Sequence, residues 1–222
     1  MFRKVLISAL LVLAVTSAAW AQTPKVEFTG LVGWTLSDGV SGDPYKAGNG
    51  KTYDRVDPDD SMNFGFSLGF FLSPSAEVGF LWRRQPTTIQ ISGTTVTDLA
   101  DTNIDGYHGY GAYYFGDPEG KVRPYIMGGL GMTHYGGISY TKSGGQTANI
   151  SGNSQFSTTW GAGVKVNASP NVGLKLGMQW TPTYIKSDAE GYWCDPYWGC
   201  YVVGSAQYSN QFEFVGGLSF RF

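Results

Sequence analysis

The sequence predicts an all-β fold, an eight-stranded antiparallel up-and-down transmembrane β-barrel. Three observations support this prediction. Apolar and polar residues alternate through eight segments of the 222-residue chain. Short turns and long polar connections alternate between those segments, and the polar face of the segments is rich in glycine. Because successive side chains of a pleated strand lie on opposite faces, strict alternation indicates strands with one apolar and one polar face.

The N-terminal residues predict export. Two basic residues precede an apolar run from Val5 to Val15, which leads into the small-residue site Ala19-Trp20-Ala21. This order is typical of a cleaved signal peptide. The run is also too short to cross a bilayer as a helix, which needs about 20 apolar residues. We therefore divide the chain into a signal peptide, residues 1–21, and a barrel domain, residues 22–222.

The composition narrows the class of protein. Charged residues make up 14% of the chain, against roughly 25% in ordinary soluble domains. A net charge of −2 provides no basic surface for nucleic acid. No later stretch approaches the roughly 18 consecutive apolar residues of a membrane helix. If the mature chain crosses a membrane, it must do so as a closed barrel, because hydrocarbon cannot satisfy open strand edges.

Eight segments are predicted as strands, and their alternation differs in clarity. Residues 62–72 and 155–168 alternate cleanly, whereas the first strand and the pair between residues 103 and 136 are noisier. None has a helical period worth assigning. In chain order the predicted strands cover residues 25–36, 62–72, 76–84, 103–116, 123–136, 155–168, 172–180 and 211–222.

The connections predict which strand ends lie together. Three are tight turns that contain proline and polar residues, and four are long and polar. In an up-and-down barrel all the tight turns then lie at one rim and all the long loops at the other. The first long loop is acidic, and we expect it to be solvated and mobile. The tight turns are at 73–75, 117–122 and 169–171, and the long loops are at 37–61, 87–102, 137–154 and 188–206.

The glycines favour a membrane barrel over a soluble one. A lipocalin-like barrel also has eight alternating strands, but its polar face points outward into water and its apolar face points inward around a ligand. Glycine weakens a strand and does not help solubility, whereas the narrow lumen of an eight-stranded barrel needs small residues beside large ones. We therefore assign the glycine-rich face to the lumen and the apolar face to lipid. The glycines assigned to the lumen are Gly65, Gly69, Gly79, Gly109, Gly111, Gly129, Gly131, Gly161, Gly163, Gly173, Gly177 and Gly217.

With its export signal, its eight amphipathic strands, the segment "RPYIMGGLGMTH" and a last strand ending in "SFRF", the chain resembles the small outer-membrane β-barrels of the OmpA type and the opacity-protein type. The resemblance implies a barrel-only member in the outer membrane, a monomer with both termini in the periplasm and four extracellular loops. Phe222, with Phe220 on the same face, resembles the family's C-terminal assembly signal. The implied partners are lipopolysaccharide, outer-membrane lipids, the outer-membrane assembly machinery and an extracellular ligand of the loops.

The lumen is predicted to hold a balanced set of charges. Buried charges are costly unless paired, so a filled polar core that locks the barrel is one interpretation. A narrow gated pathway lined by the same residues is the other. A wide porin is excluded because it needs roughly 16 strands. The predicted lumen charges are Glu27, Glu77, Arg83, Asp105, Lys165, Lys175, Glu213 and Arg221.

The only two cysteines, Cys194 and Cys200, lie in the last long loop within "CDPYWGC". An exported protein meets an oxidising compartment, so a disulfide is predicted. A metal site is a poor alternative, because two cysteines without nearby histidine fall short of the usual four ligands. A redox-active pair would more typically have two intervening residues.

Catalysis finds little support in the sequence. We expect the two histidines, His108 and His134, to face lipid rather than a shared pocket, and no G-x-S-x-G motif is present. We predict no enzyme, cofactor or metal site. The leading functional hypothesis is a structural or surface-interaction role, through envelope integrity, adhesion or loop-mediated binding. The alternatives are a narrow channel or transporter for small or apolar solutes and, third, an enzyme that modifies lipid A.

Overall fold

The computed structural model describes residues 26–46, 51–141, 147–185, 194–195, 199–200 and 207–222. Eight long strands build a barrel, and six short strands form three hairpins beyond it. The barrel strands are β1 (Val26–Asp38), β4 (Ser61–Ser73), β5 (Ala76–Gly93), β6 (Thr97–Tyr114), β7 (Val122–Tyr135), β10 (Asn153–Asn167), β11 (Val172–Ile185) and β14 (Gln207–Arg221). The hairpins are β2 (Val40–Lys46) with β3 (Thr52–Pro58), β8 (Ile138–Thr141) with β9 (Thr147–Ile150), and β12 (Cys194–Asp195) with β13 (Gly199–Cys200).

The eight long strands form a closed antiparallel sheet. Each pairs with the next along the chain, and β14 pairs with both β11 and β1. At the seam the backbone N of Phe222 donates to the carbonyl of Val26 at 2.9 Å, and the N of Val26 donates back at 3.3 Å. The predicted eight-stranded antiparallel barrel is confirmed.

The two ends of the barrel differ. One end, here called the turn end, holds the short connections at 74–75, 115–121 and 168–171 together with the seam residues Val26 and Phe222. The opposite end, the hairpin end, holds the three hairpins and the connection between β5 and β6. This asymmetry agrees with the predicted alternation of short turns and long connections.

The outer face of the barrel is an apolar belt. Large apolar side chains are exposed on every second residue, for example Met62, Leu130, Phe156 and Met178. On β4 the belt extends from Met62 to Leu72, close to the about 9–11 residues with which a tilted strand crosses a bilayer. Trp34 and Trp180 are exposed towards the hairpin end, a position typical of interfacial aromatic girdles.

The inner face alternates small and large residues. A Cβ atom added to Gly69 would collide with the carboxylate of Glu77, and one added to Gly163 would lie 2.9 Å from the Tyr125 ring. Glycine on one strand therefore makes room for a large side chain on another, as a narrow barrel requires.

Strand β6 departs from the predicted orientation by one residue. From Thr102 onwards its even-numbered residues face the interior, so His108 and Tyr114 are buried inside, whereas Gly109 and Gly111 face outward. Because side chains alternate, a shift of one residue exchanges the faces of the whole strand. The predictions that His108 faces lipid and that these two glycines face the lumen are wrong.

The hairpin end contains more strand than predicted. Residues 87–102, expected as a long loop, mostly continue β5 and β6, each 18 residues long. Within 37–61, β3 pairs with both β2 and β5, so this predicted mobile loop is a hairpin built onto the barrel. Its Asp57 accepts hydrogen bonds from the Gly39 backbone N at 3.0 Å and the Ser92 hydroxyl at 2.9 Å.

An apolar cluster fills the interior of the hairpin end, and we call it the apolar cap. On β5 the inward residues change from Arg83, Gln85 and Thr87 to Ile89 and Ile91, so the interior changes from polar to apolar along one strand. The apolar cap consists of Val40, Tyr53, Val56, Ile89, Ile91, Ile104, Tyr135, Ile138 and Ile185.

Candidate functional site in the barrel interior

Two groups of polar side chains lie between the turn end and the apolar cap. The ionic layer, next to the turn end, is built around Glu27 and Glu77. The polar layer, between the ionic layer and the cap, is built around Arg83 and His108. These layers and the cap are the parts of the interior that any solute would have to pass.

Glu27 is the centre of the ionic layer. It is 1% exposed, and it forms ion pairs with cations from three other strands. Lys165 contacts one carboxylate oxygen, the Nζ of Lys175 lies 2.9 Å from the other, and the Nη2 of Arg221 lies 3.2 Å from the first. One buried carboxylate thus ties β1 to β10, β11 and β14.

Glu77 extends this network to β5 and β6. The hydroxyls of Tyr110 and Tyr114 each donate to one of its carboxylate oxygens. The Nζ of Lys175 lies 3.5 Å from Glu77 Oε2, so this lysine bridges both carboxylates. Since a buried charge without a partner is strongly destabilising, each member of the layer depends on the others.

Arg123 also lies in the interior beside the ionic layer, although the sequence did not predict it there. It is 1% exposed, its guanidinium lies 5.3 Å from the centre of the Tyr114 ring, and its Nη2 donates to the Ser75 hydroxyl at 3.4 Å. Arg123 shares its parity on β7 with Gly129 and Gly131, which are predicted to face the lumen, and that parity is the signal that identifies Arg123 as a lumen residue.

The polar layer begins with a buried ion pair between Arg83 and Glu213. The Nη2 of Arg83 also donates to the Thr181 hydroxyl at 2.8 Å, and Thr181 donates to the Thr159 hydroxyl at 3.3 Å. The layer therefore connects β5, β14, β11 and β10 through side chains.

His108 belongs to the same layer. Its Nε2 lies 2.8 Å from the Ser157 hydroxyl, which accepts a hydrogen bond from Thr133 at 3.0 Å. Thr183 donates to Thr133 at 3.0 Å and continues the chain of hydroxyls. Both His108 and Ser157 are inaccessible to solvent, so this pair is a structural link between strands.

Gln85 closes the polar layer beneath the apolar cap. Its Nε2 lies 3.0 Å from the hydroxyls of both Ser37 and Ser61, and 3.2 Å from the backbone carbonyl of Asp59. These partners lie where β1 ends, where β4 begins and in the connection from β3. Gln85 therefore fixes the base of the β2–β3 hairpin to the barrel.

The cavities within these layers are small. One of about 30 Å³ lies between Tyr110, Tyr125, Lys175 and Gln179. Another, beside Arg83, has a volume of about 10 Å³. Because a single water needs about 10–15 Å³, each of these two spaces has room for isolated waters and not for a continuous column.

Asp105, predicted as a lumen charge, lies on the outer face. Both of its carboxylate oxygens pair with Arg84, whose Nε and Nη2 are 2.8 and 2.9 Å away. The Arg84 guanidinium stands 5.7 Å from the centre of the Trp82 ring. The prediction fails because β6 is turned by one residue. The other predicted lumen charges lie inside in ion pairs, namely Glu27, Glu77, Arg83, Lys165, Lys175, Glu213 and Arg221.

The remaining predicted sites lie at the ends of the chain and in the last hairpin. The backbones of Cys194 and Cys200 are directly opposite each other in the β12–β13 pair. Their side chains lie outside the described part of the structure, so the disulfide stays a prediction. Phe220 and Phe222 lie on the outer face, 41% and 77% exposed, and their role as an assembly signal also stays a prediction. The predicted signal peptide lies outside the described residues.

The described residues contain neither a candidate metal site nor a membrane-spanning helix. No group of three or more His, Cys, Asp or Glu side chains there is arranged to hold a metal ion. No helix in the same part of the chain has the length and apolar character to cross a membrane.

The comparison with protein families identifies the chain. A family model described as outer membrane protein beta-barrel domain matches residues 7–222. The chain belongs to the outer membrane protein β-barrel family. Its membership supports the predicted outer-membrane location. No curated protein matches the chain significantly.

Solved outer-membrane barrels share the fold. OprG from Pseudomonas aeruginosa has a TM-score of 0.58 at 14% identity, with 90% of this chain and 97% of that chain covered. AlkL has a TM-score of 0.54 at 13% identity, covering 91% and 92%. Neisserial surface protein A has a TM-score of 0.51 at 14% identity, covering 90% and 97%. At these identities the likeness shows the fold alone.

Proposed function

We propose that this outer-membrane barrel is a closed scaffold whose hairpin end serves a structural or surface-interaction role, through envelope integrity, adhesion or binding. The observation that supports it is that the interior is blocked at three successive levels. The ionic layer, the polar layer and the apolar cap follow one another along the interior. A solute would have to disrupt all three to pass, which argues against the alternative of a narrow channel.

The ionic layer resists opening because its charges are buried. Moving Lys175 away from Glu27 and Glu77 would leave two carboxylates without one of their cations. Breaking a buried ion pair by removing one partner costs about 3–5 kcal/mol. The apolar cap adds a second barrier of a different kind, since an ion that crosses it loses its hydration without gaining polar partners.

The hairpin end offers a preformed surface to a binding partner. The extended β5–β6 strands and the β2–β3 hairpin form a projecting sheet of four strands, fixed to the barrel by Gln85. Its outer side carries polar contacts, such as Arg55 with Asp38 and Gln90 with Asp98. A preformed surface binds a partner with less ordering cost than a mobile loop. We infer that this end faces the outside of the cell and that both termini are periplasmic, following the usual asymmetry of bacterial barrels.

We also infer that the chain is not an enzyme. The His108–Ser157 pair is sealed inside the barrel. On the outer face the Nδ1 of His134 lies 2.9 Å from the Ser154 hydroxyl, and Asp105 is the cross-strand neighbour of His134. Both oxygens of that carboxylate are engaged by Arg84, so it is not free to orient the imidazole as an acid in a catalytic triad does. We expect the mass of lipid A to be unchanged when the chain is expressed; a mass shift lost with His134→Ala would contradict this.

Single-channel recording tests the closed-scaffold proposal. Residues 22–222, refolded into a planar lipid bilayer and shown to be folded by a heat-dependent shift on a gel, are expected to give no steady ion steps. The matched variants are Lys175→Glu in the ionic layer and Lys121→Glu on the exposed turn at 115–121. Regular steps that change with Lys175→Glu and not with Lys121→Glu would show an open lumen and overturn the proposal.

A further inference from the structure

We propose that the outer wall of the barrel binds one lipid acyl chain in a defined groove on β5, β6, β7 and β10. This goes beyond the scaffold role, because it assigns a ligand site on the membrane-facing surface. The groove has a volume of about 560 Å³. We call it the wall groove, and its outward-facing lining is Ala76, Gly111, Tyr113, Ile126, Gly128 and Trp160.

The floor of the wall groove is made of glycine. Gly111 and Gly128 are direct cross-strand partners on β6 and β7, and neither carries a side chain of its own. A Cβ atom on Gly111 would meet no atom closer than the Glu77 carbonyl at 3.9 Å. The space above Gly111 is therefore open, and backbone geometry does not demand glycine there.

The walls of the wall groove are bulky and fixed. Trp160 is the cross-strand partner of Gly128, and its six-membered ring lies over that glycine, 3.2 Å from the position of an added Cβ. The indole N–H donates to the Thr158 hydroxyl at 3.1 Å, which holds the ring in place. Tyr113 and Ile126, about half exposed, form the rest of the rim. These side chains form the rim of an open depression in the outer wall.

The position of the wall groove determines what fills it. It lies in the apolar belt, with Leu130 and Val164 on the neighbouring surface, and a barrel of this family is surrounded there by hydrocarbon. An apolar depression in that layer does not hold water. Helices and barrels gain nothing there from the hydrophobic effect, so packing contacts decide what binds. A flexible acyl chain can follow the depression lined by Trp160 and Ile126, whereas a second barrel has a convex surface and would contact this wall only along a line.

A filled-groove variant tests the assignment. Gly111→Leu places a side chain in the wall groove without a backbone clash. The matched control is Gly30→Leu, since Gly30 also lies on the outer face, has no atom within 4 Å of an added Cβ and does not line the groove. Wild type and both variants would be reconstituted with a single phosphatidylethanolamine and released for native mass spectrometry. We expect wild type and Gly30→Leu to retain one bound lipid at a collisional activation energy that removes the lipid from Gly111→Leu.

Three outcomes would overturn the proposal. Gly111→Leu could retain the lipid as well as wild type, or Gly30→Leu could lose it equally, which would make retention non-specific. Alternatively, wild type could appear as a dimer that Gly111→Leu dissociates, which would assign the groove to a second copy of the chain. If the heat-dependent gel shift shows that Gly111→Leu does not fold, Gly111→Val fills the same space with a residue that favours strands.

Discussion

The side chain of Gln211 donates from Nε2 to Oε1 of Gln85 at 2.7 Å, which joins β14 to β5 inside the barrel. Gln85 also donates to Ser37 and Ser61. One amide thus connects the strands of the barrel to the base of the β2–β3 hairpin, at the level where the interior changes from polar to apolar.

Gln85→Leu is expected to destabilise the barrel. The substitution keeps the approximate volume but leaves Gln211, Ser37 and Ser61 without their shared partner, and an unsatisfied buried group costs about 1–3 kcal/mol. Urea unfolding in lipid vesicles, followed by the heat-dependent gel shift, measures the change in free energy of unfolding. The control is Gln90→Leu, whose amide bonds Asp98 on the exposed surface. Equal effects of the two variants would show that the buried hydrogen bonds of Gln85 contribute no more to stability than an exposed one.

Glu27→Gln is expected to destabilise the barrel more than Gln85→Leu does. It removes the charge that balances Lys165, Lys175 and Arg221, and an uncompensated buried charge costs about 3–5 kcal/mol. Adding Lys165→Met to Glu27→Gln should recover part of the loss, because it removes one of the cations left without a partner. The same unfolding assay gives the interaction energy from the double-mutant cycle.

The control for this cycle is Glu119→Gln, which changes a carboxylate on the exposed turn at the same end. Strictly additive effects of Glu27→Gln and Lys165→Met would mean that the two side chains do not interact in the membrane.

The sequence predicted most of the fold because seven strands contrast an apolar face with a small or polar one. Strand β6 does not. Its inner face carries Ile104, Tyr110 and Tyr114, while its outer face carries Asp105 and Gly111. Hydrophobic contrast cannot orient such a strand. Its orientation follows from the neighbours instead, since the turn to β7 and the pairing of Tyr113 with Ile126 fix the register.

The structure of the hairpin end could not be predicted from the sequence, for a different reason. In residues 88–92, isoleucine faces inward and threonine, glutamine and serine face outward. This is the pattern of a soluble protein, the reverse of the pattern within the apolar belt. A polar composition between two membrane strands therefore suggested a loop, although its alternation continued. Asp57 likewise suggested a mobile acidic segment, but its hydrogen bonds to Gly39 and Ser92 hold it in a sheet.

Spin labels on β6 test its orientation directly. With the chain in lipid vesicles, a label at Gly109→Cys is expected to collide freely with oxygen dissolved in the hydrocarbon. A label at Ala112→Cys is expected to be immobile and protected, because that residue faces the interior. The background for these variants replaces both native cysteines by serine. The reverse pattern would restore the predicted orientation and return Asp105 to the lumen.

The disulfide prediction can be tested by alkylation. The opposed backbones of Cys194 and Cys200 are compatible with a bridge. Unfolded protein that has not been reduced is expected to take up no thiol reagent, and reduced protein to take up two labels. The bridge closes a small loop, for which chain entropy predicts about 2 kcal/mol of local stabilisation. Uptake of label without reduction would mean that the cysteines are free thiols.

The apolar cap is expected to unfold separately from the barrel. Ile89→Ala removes buried methyl groups from the cap, at a cost of about 2–5 kcal/mol, whereas the ionic and polar layers keep all their contacts. Limited proteolysis should therefore cut the β2–β3 hairpin faster in Ile89→Ala than in wild type, while the heat-dependent gel shift of the barrel is retained. Thr88→Ala is the control, because Thr88 is the next residue on the outer side, where its hydroxyl bonds Asp101. Loss of the gel shift together with the hairpin would show that cap and barrel unfold as one unit, and faster cleavage in Thr88→Ala would show that the effect does not come from the cap.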